Sequence, residues 1–424
     1  MTRAKRNLLF LFAFIIGIPV VYNLPPVRER LDWRVAELMA SIKYAISPPE
    51  QIVFVPEESG LLETPTPRLS PTALSSSPTA RIPSTEISVS TPSPTATLKP
   101  LPSTTQLEGF RHEFQTWNNC GPATLAMALS FWGWDGDQRP IAEFTKPNSR
   151  DKNVMPYELT AYVEEETNFE VIYRVGGEIE LLKRFLASGF PVIIEKGFEG
   201  PGFEGWIGHY VLATGYDEAS RQFTMQDSYY GSDQSMEYED LESYWRAFNF
   251  TYLVIYPSDR EEDALAILGS HADEEYNDRY AAQKASDEIY RLTGRDQFFA
   301  WFNRGTNLVR LQDYTGAASA YDEAFAIYPS IPEKERPWRM MWYQTGPYWA
   351  YFYSGRYQDV INLSTTTLNA MSEPVLEESY YWRALAREAL GDTKAAIKDL
   401  GSAMKVHPGF EPALTKIEQM GEEP

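Results

Sequence analysis

Apolar and polar residues change their spacing several times along this chain, and each change marks an element or a boundary. Leu8 to Tyr22 is a nearly unbroken apolar run behind Arg3, Lys5 and Arg6, and it closes at Pro25-Pro26. A basic flank before such a run predicts a signal-anchor over 1–26, with the N-terminus inside and everything downstream outside the membrane. No A-x-A-like site follows, since Pro19, Val20, Val21 and Tyr22 stand there; this favours an anchor over a cleaved, secreting signal. Within 27–55, Leu31, Val35, Leu38, Met39, Ile42 and Ala45 recur at helical spacing, which predicts an amphipathic juxtamembrane segment. Between 56 and 106 Pro, Ser and Thr take over. Such a stretch buries too little apolar surface to offset its chain entropy, so it is expected to be an extended, disordered stalk.

The pattern tightens again over 107–257, where helical and strand periodicities both appear. Ala123 to Trp132, Pro156 to Thr167 and Glu178 to Ser188 predict helices. Pro191 to Lys196, His209 to Tyr216, Gln222 to Asp227 and Tyr252 to Tyr256 carry the β-branched and aromatic content of strands. Helices first and strands later predict an α+β domain. From 258 to 424 the spacing is helical throughout. Trp301, Gly305, Leu308, Tyr314, Ala317, Tyr321, Ala324 and Pro329 recur in part as Tyr380, Ala384, Ala396, Leu400, Ala403 and Pro408. A weaker middle copy runs through Gln344, Tyr348, Tyr357, Val360 and Ser364.

These offsets resemble the helix-turn-helix pattern of tetratricopeptide repeats, with small residues where paired helices touch. The resemblance implies an all-α repeat region offering a concave surface to a protein partner.

Composition narrows the function. Asp and Glu number 59 against 38 Lys and Arg, a formal net charge of −21, which is the wrong sign for a nucleic-acid surface. One cysteine rules out an intrachain disulfide framework and a thiolate zinc site. Nothing in the sequence calls for a cofactor or a catalytic metal. With four His residues, imidazole chemistry must use His112, His209, His271 or His407.

The chemistry concentrates in Gln115-Thr-Trp-Asn-Asn-Cys120-Gly-Pro. A proline after Cys120 suits the first turn of a helix, so the thiol is expected at a helix start, where unpaired N–H groups and the helix dipole favour thiolate. A thiolate nucleophile needs a base, and the base an orienter. His209 heads the apolar strand Gly208-His-Tyr-Val-Leu-Ala-Thr-Gly-Tyr216, with glycine before it expected to leave the approach open. Asp227 closes the next strand and could orient the imidazole. Gln115 and the Cys120 N–H could hold an oxyanion. Asp217 and His112 are the rival orienter and base, the first expected to cap a turn and the second to lie in a loop.

Gln115…Cys120-Gly-Pro, Gly208-His209-Tyr-Val…Thr-Gly-Tyr and Asp227 together resemble the papain-like bacteriocin-processing peptidases, the C39-like or double-glycine peptidases, and among them the stand-alone branch. The resemblance implies a papain-like fold with Cys120 as nucleophile, His209 as base, Asp227 as orienter and Gln115 in the oxyanion hole. Two departures stand out: no exporter spans or nucleotide-binding motif accompany the domain, and Ser228 occupies the place usually taken by proline after the orienting Asp. The expected protein is a membrane-anchored extracytoplasmic cysteine peptidase acting on a peptide or protein substrate. The alternatives are a catalytically silent peptide-binding scaffold, and an acyltransferase or transpeptidase using the same thiol.

Overall fold

The architecture comes from a computed structural model that describes residues 53–57, 100–148, 150–199, 205–371 and 373–421, together with Leu38 and Ile42. The expected signal-anchor, most of the juxtamembrane segment and the Pro/Ser/Thr stretch up to residue 99 lie outside the described residues. Among the described residues, no helix is long and apolar enough to cross a membrane.

An antiparallel sheet organises the first half. In chain order its region contains β1 (Thr104–Gln106), α1 (Cys120–Phe131), α2 (Gln138–Thr145), α3 (Pro156–Glu166), β2 (Phe169–Arg174), α4 (Ile179–Ala187), β3 (Val192–Phe198), β4 (Ile207–Asp217), β5 (Gln222–Asp227), β6 (Gly231–Glu237), α5 (Tyr238–Arg246) and β7 (Tyr252–Pro257). The strands run in the order β2-β7-β3-β4-β5-β6, and β1 adds to β4. The expected helices and the four expected strands are present within a few residues. β1, β2, β6, α2 and α5 are additions to that set. β1 also shortens the expected stalk at its C-terminal end, because Thr104–Gln106 pairs with Gly215–Asp217.

Period-two alternation buries both faces of the central strands. Ile193, Tyr210, Leu212, Leu253 and Ile255 pack against Leu125, Met127, Leu129, Leu159 and Val163 of α1 and α3. The alternate residues Val192, Ile194, Val211, Ala213, Tyr252 and Val254 pack against Leu182, Phe185 and Leu186 of α4 and Trp245 of α5. α1 therefore lies along β4, and Thr124 Oγ1 donates to the Tyr210 carbonyl at 3.1 Å.

The second half is helical: α6 (Glu261–Leu268), α7 (Glu274–Ile289), α8 (Gly294–Arg310), α9 (Tyr314–Ile327), α10 (Met340–Tyr343), α11 (Gly346–Tyr353), α12 (Tyr357–Asn369), α13 (Glu377–Ala389), α14 (Thr393–Val406) and α15 (Glu411–Gln419). α6 belongs structurally to the sheet, since Ala264 and Leu268 complete the core beneath α4. α8 with α9, α11 with α12 and α13 with α14 are successive helix pairs, each joined by a short turn. Gly305 sits where α8 meets α9, and a Cβ there would stand 2.8 Å from the Tyr321 ring.

The two halves share one core. Trp206, Ala247 and Phe248 pack with Phe298, Phe299, Met340 and Met341, and Trp206 stacks on Phe248 at 5.4 Å between ring centroids. Each buried aromatic of this kind contributes about 1.5–3 kcal/mol. Polar contacts fix the register: Asn249 and Asn307 exchange amide hydrogen bonds at 2.7 and 3.1 Å, and Arg339 donates to the Trp206 carbonyl at 2.9 Å.

Residues 53–57 dock on the helical half as well. Phe54 meets Phe325 edge-on at 5.0 Å, and the Glu57 N–H donates to Asp359 at 2.7 Å. The described residues on either side of 58–99 are thus both packed, Glu57 on the helices and Thr104–Gln106 on the sheet.

Candidate active site

Cys120 opens α1. The preceding residue, Asn119, gives the helix no side-chain cap, which leaves first-turn N–H groups for the thiol. The loop before it is held by Gln138 at the start of α2. Its Oε1 accepts from the Thr116 N–H at 2.8 Å and from Asn119 Nδ2 at 3.3 Å, while its Nε2 donates to the Phe114 carbonyl at 2.8 Å. Asn118 takes a left-handed backbone, φ 54°, and its Nδ2 donates to the Asp151 carbonyl at 2.9 Å. These bonds bring Cys120 to β4.

On β4, His209 is buried, and its Nε2 lies 3.0 Å from Asp227 Oδ1 at the end of β5. The same carboxylate oxygen accepts the N–H groups of Tyr229 and Tyr230 at 2.8 and 3.1 Å. The Nε2 contact leaves the other ring nitrogen, Nδ1, unused by Asp227, and Cys120 lies near enough to His209 for each to shift the other's titration. Phe198 lies over the imidazole at 4.9 Å and is flanked by Tyr229 and Tyr230, so one side of the ring is screened from water.

The electrostatics follow from this packing. Burial pushes the Cys120 thiol up, but the His209 hydrogen bond, the imidazole charge and the backbone groups of Tyr210 and Gly121 outweigh it and hold the thiol below its ordinary value. Burial alone would lower His209; the Asp227 charge and hydrogen bond, then Cys120, raise it to about 9. Asp227 is pushed up by burial and brought well below the usual carboxylate range, chiefly by the His209 charge and hydrogen bond and by Lys196. Lys196 is itself buried opposite His209 on β3 and is lowered to about 8 by burial. Both shifts favour the charged forms, thiolate at Cys120 and imidazolium at His209.

Gln115 enters the same neighbourhood through Ser228. The Gln115 N–H donates to the Ser228 carbonyl at 2.9 Å, and Ser228 Oγ donates to Gln115 Oε1 at 2.9 Å. With its oxygen so held, the amide presents its NH₂ group away from Ser228. Ser228 and Gln138 are the site residues that sequence reasoning missed. Each acts on a partner far away in the chain or across a loop, so spacing carried no signal for them, although the substitution of serine for proline after Asp227 marked the place.

The rivals make other contacts, although His112 lies near enough to Asp227 to feel its charge. Asp217 caps its own turn by accepting the N–H groups of Ala219 and Ser220 at 2.8 and 3.0 Å. His112 packs edge-on against Phe114, and neither ring nitrogen finds a hydrogen-bond partner among the described residues. The approach to His209 is not left open by Gly208 as expected: a Cβ there would lie 2.6 Å from Phe248 and 3.0 Å from Tyr343. Glycine at 208 instead lets the helical half close against the strand that carries His209.

A thiol at a helix start near a strand-borne imidazole, on a helix-flanked antiparallel sheet, is the arrangement the sequence leads one to expect. Residues 101–253 match the family model described as the Peptidase_C39 like family. Among solved structures, similarity extends to a protein from Bacillus anthracis described as a C39-like peptidase, at 19% identity and a TM-score of 0.30, covering 36% of this chain and 96% of that one. It extends also to xylellain, a cysteine protease from Xylella fastidiosa, at 17% identity and a TM-score of 0.29, covering 37% and 87%. No curated protein matches the chain.

Proposed function

We propose that the protein is a membrane-anchored, extracytoplasmic cysteine peptidase in which Cys120, His209, Asp227 and Gln115 carry the chemistry. The observation that supports this reading is the buried His209–Asp227 contact at 3.0 Å with Cys120 near the same imidazole, the thiol shifted down and the imidazole up. The Cys120 thiolate attacks the carbonyl carbon of the scissile peptide bond. The oxyanion is met by the Gln115 amide N–H and the Cys120 backbone N–H. As the C–N bond breaks, His209 gives its proton to the leaving amine, and a thioester remains on Cys120. His209, now neutral, takes a proton from water, whose oxygen attacks the thioester. The carboxylic product leaves, and the thiolate–imidazolium pair is restored. Asp227 keeps the ring oriented and favours its charged form throughout.

The helix pairs from α8 to α14, in their resemblance to tetratricopeptide repeats, would bind a protein partner or a substrate segment. The basic flank and apolar run at the N-terminus support membrane attachment with the peptidase outside.

A thiol-reactive peptide probe tests the chemistry. Wild type should be labelled at Cys120, and His209→Ala should lose labelling by at least a hundredfold while remaining folded. Equal labelling of the two would refute the pairing. Protease added to intact cells should digest the peptidase domain; its full protection would refute the orientation.

A further inference from the structure

Away from the thiol, three ligand-type side chains meet where the loop after α2 touches the last helix pair. Asp151 comes from that loop, Glu377 from the first residue of α13, and His407 from the residue after α14. Their donor atoms lie within 4.8 Å of one another. Asp151 and Glu377 are each 3% exposed. His407 Nδ1 lies 2.8 Å from Glu377 Oε1, whereas Glu377 Oε2 is buried with no hydrogen-bond partner among the described residues. Nearby groups are engaged elsewhere: Lys146 donates to the Trp117 carbonyl at 3.0 Å, Arg150 faces Glu373 at 3.9 Å, Glu158 accepts the Met155 N–H at 2.6 Å, and Glu378 accepts from Tyr157 at 3.2 Å.

A buried carboxylate oxygen with no partner is costly, and a second carboxylate close by adds repulsion. A doubly charged cation removes both penalties, since two carboxylates and a neutral imidazole supply a matching charge of minus two. Calcium and magnesium prefer six or more oxygen ligands, whereas a small N/O set with one imidazole suits zinc and related transition metals. We propose that Asp151, Glu377 and His407 bind one divalent transition-metal ion, which rivets the last helix pair to the loop behind the nucleophile. The ion is structural and takes no part at the thiol. Its effect reaches the active site through the Asp151 carbonyl, which accepts from Asn118, two residues before Cys120. Asn148 strengthens the joint by donating to the Val406 carbonyl at 2.8 Å, next to His407.

The test uses the full chain carrying Cys120→Ser, so that the active-site sulfur cannot take the metal. Chelator-stripped protein is titrated with Zn²⁺ by calorimetry and followed by thermal melting. One equivalent should bind saturably and raise Tm by several degrees. Glu377→Gln and His407→Gln should each weaken binding at least tenfold, whereas Glu378→Gln should bind as the parent does. Absence of saturable binding, or equal affinity in Glu377→Gln and His407→Gln, would overturn the proposal. A Tm rise of the same size with Ca²⁺ would overturn the choice of metal class. Should both variants fail to fold, Co²⁺ in the parent decides: an intense visible band of four-coordinate cobalt supports the site, and its absence refutes it.

Discussion

Among the influences that lower the Cys120 thiol, His209 stands ahead of the backbone groups of Tyr210 and Gly121, and burial opposes them all. In His209→Ala, alkylation of Cys120 by iodoacetamide should titrate above the free-thiol value of ~8.5, whereas in wild type it should titrate below it. Unchanged titration would mean that the helix start alone sets the thiol. The imidazole is raised in the folded protein to about 9, so its contribution to stability is complete below its ordinary value near 6.5 and disappears as pH climbs through about 9. Tm should therefore fall between these values, and kcat/KM should show an alkaline limb near 9. His209→Gln should flatten the Tm profile over that window. Ser228 is a positioning residue for the Gln115 amide. Ser228→Ala should lower kcat roughly tenfold with KM and the thiol titration unchanged, and Ser228→Thr should restore it; Gln115→Ala, which removes the donor itself, should cost about 10²–10³. A shift in thiol titration in Ser228→Ala would assign Ser228 to the nucleophile instead.

At the level of elements, the close approach of α8 and α9 rests on a missing side chain. Gly305→Ala gains ~0.5–1 kcal/mol of helix propensity, but the new methyl meets a buried Tyr321 ring that is already fixed through a hydroxyl contact with Thr306 at 3.1 Å. Overpacking of this sort costs about 1–3 kcal/mol, so the clash should win and Tm should drop by a few degrees. A rise would show that the pair has room to spread. Legibility in the sequence follows the same logic of what each element buries. α1, β3, β4 and β7 were readable because long apolar periodicities pack on both faces of a sheet. β6 was not, since Ser232, Asp233, Gln234 and Ser235 are exposed on an edge strand and alternate nothing. β1 was hidden because three residues at the end of a Pro/Ser/Thr run carry no period, and only pairing with β4 makes them a strand. Cys120, His209 and Asp227 were proposed from helix-start and strand-end chemistry, and Gln115 from its place five residues before the thiol. The bonds that hold them, from Gln138 and Ser228, exist only once distant segments meet.

On the scale of the whole molecule, the sheet region and the helices are one packed body. Gln344 donates to the Ala247 carbonyl at 2.7 Å, and Arg246 pairs with Glu288 at 3.1 Å in a buried setting. A chain ended at Ala272 keeps α6 but strips the cover from Trp206 and Phe248. It should bind a hydrophobic dye strongly and aggregate, while the full chain does neither. A monomeric, fully active truncated chain would show that the helices are an accessory.

Phe54 and Glu57 sit on the helices, and Thr104–Gln106 is stitched into the sheet. The chain leaves this packed body after Glu57 and has rejoined it by Thr104, so under the membrane attachment proposed above, adding or deleting residues between these points would leave the distance from anchor to thiol unchanged. That distance would instead follow positions 27–52, for which a helix gives about 39 Å and full extension roughly 90 Å.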